Sequence, residues 1–278
     1  MKRNLIGIAA AVSLLATSAF AADLPARTYT KAPVYVDPGY IWTGFYVGAN
    51  GGYSWGDWSS TSPNGLPIPL GTSFNPHVDG WVGGLQAGYN WQTNANWVLG
   101  VEADIQATGE RAGSANSATA LIPFNTDFHF SLTQASANDW DFPWFATFRG
   151  RLGWLADPQT LLYGTIGLAV GEFKFATTTT TTVQRLLGAT STTPSGAPII
   201  TTASFSDSQT RVGGAVGLGV ERKFDKNWSG KLEYLYLDFG TATYFGGTAS
   251  QTDVRLRDHV VRVGINYAFN PGPVVARY

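Results

Sequence analysis

The chain has 278 residues, 44% of them hydrophobic and only 13% charged, with a formal net charge of −1. The charged share is about half that of ordinary soluble domains, and near-neutrality excludes nucleic acid as the main partner, because phosphate binding needs a basic surface. There is no cysteine, which excludes a disulfide framework and any thiolate metal site.

The first residues, MKRNLIGIAAAVSLLATSAFA, place Lys2 and Arg3 before a short apolar run, Leu5 to Leu15, and an A-x-A cleavage site at Ala19-Phe20-Ala21. Residues 1–21 therefore read as a secretory signal peptide, the apolar run being too short for a membrane anchor. Beyond Ala22 no apolar run reaches transmembrane-helix length, so a membrane-embedded mature chain must be a strand barrel. Residues 22–41 carry Pro25, Pro33 and Pro38 and no hydrophobic period. They read as an extended periplasmic linker.

From Trp42 the period is two. Phe45, Val47, Ala49, Gly51, Tyr53 and Trp55 alternate with Tyr46, Gly48, Asn50, Gly52 and Ser54. The same alternation recurs over 80–92, 97–108, 143–154, 161–175, 210–222, 228–240 and 254–269, which gives eight strands long enough to cross a bilayer at a tilt. The connections alternate in length. Residues 93–96, 156–159 and 223–227 are tight, turn-rich links. The links 56–79, 109–142, 176–209 and 241–253 are long and rich in Ser, Thr, Gly, Asn and Pro. That asymmetry predicts an all-β, eight-stranded antiparallel up-and-down transmembrane β-barrel over 42–269, with short periplasmic turns, long extracellular loops and a C-terminal tail at 270–278.

Tryptophan supplies a second signal. Trp42, Trp91, Trp97, Trp154 and Trp228 fall at the periplasmic strand ends, and Trp55, Trp58, Trp81, Trp140 and Trp144 at or beyond the extracellular ends. The expectation is two aromatic girdles at the membrane interfaces. Glycine on the opposite face keeps the lumen side small, because eight strands barely make room for their own side chains.

That lumen face also carries Glu102, Asp104, Arg149, Arg151, Glu221, Lys231, Glu233 and Arg262. Glu102 and Arg149 fall on neighbouring strands at about the same height. Opposite charges there should pair, since an unpaired one loses hydration without return. The structural reading is an interior ion-pair plug; the functional one is a selectivity filter lining a narrow conduit. The small bore of eight strands favours the plug. His77 and His129 fall in long links and His259 near the top of the last strand. Neither His129 with Ser131 nor Asp258 with His259 has the spacing of a known catalytic or metal motif, so they read as solvated loop histidines. The tract Thr177–Thr182 reads as a mobile surface loop. No glycine-rich phosphate loop is present, and no cofactor is expected.

The stretches WTGFYVGANGGYSW, FRGRLGW, KLEYLYLDFG and VVRVGINYAF resemble the small outer-membrane β-barrel family of alphaproteobacteria, surface-antigen proteins often labelled porin-like and related in fold to the OmpA transmembrane barrel. The resemblance covers roughly 42–269 and lies in the strands, not the loops. It implies a monomeric or weakly oligomeric eight-stranded barrel, abundant in outer-membrane lipid and delivered by periplasmic chaperones and the barrel-assembly machinery; separately, no enzymatic role is expected. It also implies a last-strand assembly signal, which Arg262, Gly264, Tyr267 and Phe269 fit. The chain continues past Phe269 as NPGPVVARY, so Tyr278 competes as the terminal aromatic.

The expected function is a structural, surface-exposed barrel contributing to envelope integrity and surface contact, with any extracellular ligand held by the loops. The alternatives are a narrow porin for small solutes and a lipid-modifying enzyme at the rim. A soluble β-sandwich or lipocalin-like barrel would invert the pattern, with the apolar face inward and Glu102, Arg149, Arg151 and Glu233 in water.

Overall fold

The computed structural model describes residues 39–61, 73–74, 77–125, 127–188, 193–244, 246 and 251–269. The expected signal peptide, all of the expected linker but 39–41, and the 270–278 tail lie outside them. The described chain is all β: β1 (Gly44–Asp57), β2 (Ser59–Thr61), β3 (Ser73–Phe74), β4 (His77–Gln92), β5 (Trp97–Pro123), β6 (Phe128–Asp157), β7 (Thr160–Leu187), β8 (Ile199–Lys223), β9 (Trp228–Tyr244) and β10 (Thr252–Phe269). β1 and β4 to β10 are the eight long strands. Each pairs antiparallel with its neighbours, and β1 also pairs with β10 from Phe45↔Phe269 to Gly56↔Asp258, so the hydrogen bonding runs round in a ring. The short β2 and β3 extend the sheet beside the upper end of β10.

The side-chain period of two decides what faces where. Ile166, 70% exposed, and Leu218, 69%, stand on the outside with Leu85, Ile105, Phe148 and Val263, while the charged and amide residues of the alternate positions are buried. The inverted, soluble arrangement is thereby overturned. At several interior positions, Gly52 and Gly219 among them, an added Cβ would collide with its neighbours. A Cβ on Gly52 would lie 2.7 Å from Arg262 Cα and 2.9 Å from its Cβ, and one on Gly219 would strike the Tyr163 ring.

The long links correct the sequence expectation. Links 109–142 and 176–209 are not loops, because β5 runs on to Pro123 and β6 begins at Phe128, and β7 and β8 continue to Leu187 and Ile199. Thr177–Thr182 is a strand segment, paired with Thr133–Asn138 of β6 on one side and Ile200–Phe205 of β8 on the other. Threonine is β-branched and suits an extended backbone. Thr177 is buried and Thr179–Thr182 are half-buried, but with threonine on both faces there is no hydropathy alternation to betray the strand. Hydroxyls meet across the strands instead: Thr178 with Ser204 at 3.1 Å, Thr180 with Thr202 at 3.3 Å, and Thr119 with Thr133 at 2.9 Å. Bulges at Ala107/Glu110, Asp141/Trp144 and Leu256/Arg257 mark where the wall of the ring gives way to these upper extensions.

Candidate functional site

The interior of the ring is built in two tiers. The lower one is ionic. β5 supplies Glu102 and Asp104, β6 Arg149 and Arg151, β8 Glu221, β9 Lys231 and Glu233, and β10 Arg262, and all eight are buried. Arg149 uses every N–H of its guanidinium. Nη2 donates to Glu102 Oε1 at 2.6 Å and Asp104 Oδ2 at 2.8 Å. Nη1 donates to Glu233 Oε1 at 2.8 Å and Thr165 Oγ1 at 2.9 Å, and Nε to Thr147 Oγ1 at 2.9 Å. Arg262 sets Nη1 and Nη2 against the two oxygens of Asp104 at 3.1 and 3.2 Å and Nε against Glu233 Oε2 at 2.8 Å. Lys231 Nζ donates to both oxygens of Glu102 at 3.1 Å.

A smaller cluster sits beside this one. Arg151 pairs with Glu221 and lies 3.7 Å from the centroid of the Tyr163 ring. Glu221 Oε1 also accepts from Ser229 Oγ at 2.5 Å and Asn266 Nδ2 at 2.8 Å. Four carboxylates thus face four cations, so the tier carries no net charge. Buried ions at such geometry hold one another, and removing one partner strands the others.

The upper tier is apolar. Trp58, Trp140, Phe142, Phe145, Phe173, Leu235, Leu237 and Phe239 pack into one buried cluster. Phe142 stacks on Phe173 with centroids 4.3 Å apart, Trp140 on Phe175 at 3.8 Å, and Trp58 meets Phe173 edge-on at 5.6 Å. Trp58 sits in the break between β1 and β2, and its ring closes the upper interior. Buried Ser54 donates to Glu110. At the other end Trp42, Val98, Leu155, Leu161 and Tyr163 form a second apolar cluster.

The structure gathers all eight predicted charges, and Glu102 stands opposite Arg149 in the ladder. It divides the predicted tryptophans. Trp55, Trp81, Trp91, Trp97, Trp154 and Trp228 are exposed on the outer face. Trp144 is half-buried, with Nε1 donating to Glu172 Oε2 at 3.0 Å. Trp42, Trp58 and Trp140 are interior and belong to no outer girdle. Trp42 donates Nε1 to the Pro158 carbonyl at 3.1 Å. Trp58 continues the inward parity of Tyr46 and Ser54. Trp140 lies above the Asp141/Trp144 bulge, where one extra residue makes the even-numbered side chains face inward instead of the odd-numbered ones of the wall below.

Of the predicted assembly-signal residues, Arg262 is interior, Tyr267 meets Trp228 and Phe269 with centroids 5.0 Å away, and Gly264 approaches the Ala49 carbonyl. The histidine expectation is corrected. His129 is buried within β6, its Nδ1 2.6 Å from the Gly188 carbonyl oxygen. His259 stacks on Trp55 at 5.7 Å and meets Tyr234 Oη at 2.7 Å. Only His77 is freely exposed, 3.8 Å from Asp57. Among the described residues no three His, Asp or Glu converge as metal ligands. The aromatic tier and Glu110 escaped the sequence reading, and Asp258, buried on β10, was weighed there only as the neighbour of His259. The polar tier's amides and hydroxyls were visible there only as polar positions on the inward face.

Comparison with known proteins adds the family. The chain is similar to the 31 kDa outer-membrane immunogenic protein of Brucella melitensis, 32% identical over 268 residues that cover 94% of this chain and 98% of the relative. It is similar to the 25 kDa outer-membrane immunogenic protein of Brucella abortus, 28% identical over 96% of this chain and 98% of the relative. It also matches the 22 kDa outer membrane protein of Rhizobium leguminosarum bv. viciae, 28% identical over 77% of this chain and 71% of that protein. Residues 7–269 match the outer membrane protein beta-barrel domain, so this chain, with its ring of strands and its filled interior, belongs to that outer-membrane family.

Proposed function

We propose that the chain is an OmpA-like, eight-stranded transmembrane barrel whose work is structural: it anchors a surface sheet in the outer membrane and seals its own bore. The carrying observation is the interior, a neutral and mutually paired ionic tier beneath an aromatic one, which fills the space a conduit would need. On β4 the exposed Trp81 and Trp91 lie about 33 Å apart along the strand, or about 25 Å at the usual barrel tilt, which suits the apolar band of an outer membrane. This supports girdle roles for the six exposed tryptophans. It also supports an orientation with 93–96, 158–159 and 224–227 in the periplasm and the long hairpins outside.

In this reading residues 1–21 are cleaved, 22–41 form a periplasmic linker, and 42–269 are the barrel. Arg262, Gly264, Tyr267 and Phe269 direct its insertion by the barrel-assembly machinery after chaperone delivery. The name "immunogenic" borne by the Brucella relatives suits hairpins displayed at the surface, and neither a catalytic role nor a cofactor is proposed. Planar-bilayer recording of the purified protein tests the sealed bore. The expected trace stays at the background of protein-free bilayers, whereas steady unitary conductance would replace this reading with a narrow porin.

A further inference from the structure

The upper parts of β5 to β8 form a four-stranded sheet that climbs about 40 Å from Asp141 to Phe128 along β6. Its shaft is mostly Ser, Thr, Ala and Asn, with exposed Phe205, Ile199 and Ile200 along β8. Its distal end is different: Phe124 is 66% exposed, flanked by exposed Leu121, Ile122 and Leu187. Phe124 stacks on Phe128 at 4.9 Å and meets Phe130 edge-on at 5.9 Å, and the Arg185 guanidinium lies 4.3 Å from the centroid of the Phe128 ring. A cluster of this kind at the end of a polar stalk marks an interaction surface.

The backbone of the tip says which kind. Asn125 Oδ1 accepts from the N–H groups of Asp127 and Phe128 at 2.9 Å, and Asn125 N–H donates to the Phe128 carbonyl at 3.2 Å. Gly188 N–H donates to the Asp127 carbonyl at 2.6 Å, and the Gly188 carbonyl meets His129 Nδ1 at 2.6 Å, which ties the two hairpin ends together. These polar groups have their partners within the chain. A loop entering a bilayer interface needs that, because hydrocarbon supplies no donors or acceptors. Phenylalanine and leucine side chains beside an arginine are the combination that interfacial membrane-binding segments use. Arg185 and Asp127 leave the tip without net charge, which fits a zwitterionic surface.

We infer that this tip inserts shallowly into a second, zwitterionic bilayer facing the cell. The inference rests on the proposed orientation with the hairpins outside, and the experiment separates the two. The chain has no cysteine, so Ser117→Cys gives one labelling site on the exposed shaft. A membrane-impermeant maleimide applied to intact cells should label it; no labelling overturns the orientation and the inference with it. Purified protein in nanodiscs should co-float with phosphatidylcholine vesicles. The I122S/F124S variant should lose that association by about tenfold or more while keeping its boiled-versus-unboiled gel shift. A Phe124→Trp reporter should be quenched by brominated phosphatidylcholine in the vesicles. Absence of co-flotation in a labelled protein, or equal co-flotation of the double variant, overturns the inference and leaves the orientation standing.

Discussion

Arg149 on β6 and Glu102 on β5 stand opposite each other in the ladder and join at 2.6 Å with both side chains sealed from solvent. Arg149 also reaches Asp104 and Glu233. Arg149→Ala therefore leaves three carboxylates short of a cation. The expected loss is about 3–5 kcal/mol, as for other broken buried ion pairs, read as a lower urea midpoint for the vesicle-reconstituted protein. Conductance should remain at background, because Arg262, Lys231 and the aromatic tier stay in place. A large rise in single-channel current would show that the network is a gate.

The Arg151–Glu221 pair shares no ion pair with the Arg149 network, and its coupling should be separable. Arg151→Leu alone should be the more costly change. Adding Glu221→Gln, which keeps an acceptor for Ser229 and Asn266, should recover about 1–3 kcal/mol of it. A strictly additive double-mutant cycle in the same urea titration would contradict the pairing.

Gly52 lies against Arg262 and the Val261 carbonyl. Gly52→Val should block closure of β1 on β10, since backbone cannot yield as a side-chain tip would. The readout is loss of the heat-modifiable gel band on refolding into vesicles. Gly214→Ala, where an added Cβ meets nothing within 4 Å, should refold normally.

Thr180 sits in the middle of the four-stranded extension of β5 to β8, which the proposed orientation puts at the cell surface, paired with Ala135 and Thr202. Thr180→Pro removes a ladder donor from an inner strand and fixes its backbone. Surface protease should then cut within 176–209 on intact cells, while the barrel keeps its gel shift. Were this segment the loop its composition first implied, the wild-type chain would be cut equally fast.

The sequence made the wall and the lower interior legible for a simple physical reason. Where one face meets an apolar surround and the other a packed interior, residues must alternate, so Glu102, Arg149 and Lys231 could be placed by counting in twos. Counting fails wherever an extra residue enters. The Asp141/Trp144 bulge turned Trp140 inward although it lies at the predicted height. It fails again where both faces carry the same residue type, which is why Thr177–Thr182 looked like a loop. Trp42 belongs to no strand, and its burial depends on the distant Pro158 carbonyl and the side chains of β5 to β7. Nothing local to Trp42 encodes that.

The ionic tier also bears on how the molecule is made. Asp104 and Arg262 are 158 positions apart, and Lys231 and Glu102 are 129 apart. The Lys231–Glu102 contact needs β9 set across the bore from β5, and the Asp104–Arg262 contact needs β10 as well. Until then the acidic side chains of β5 lack their β9 and β10 cations, and leaving water in that condition is expensive. The charges therefore make ring closure close to all-or-none: a half-assembled chain has little to gain from entering lipid, and a closed one has little route back out.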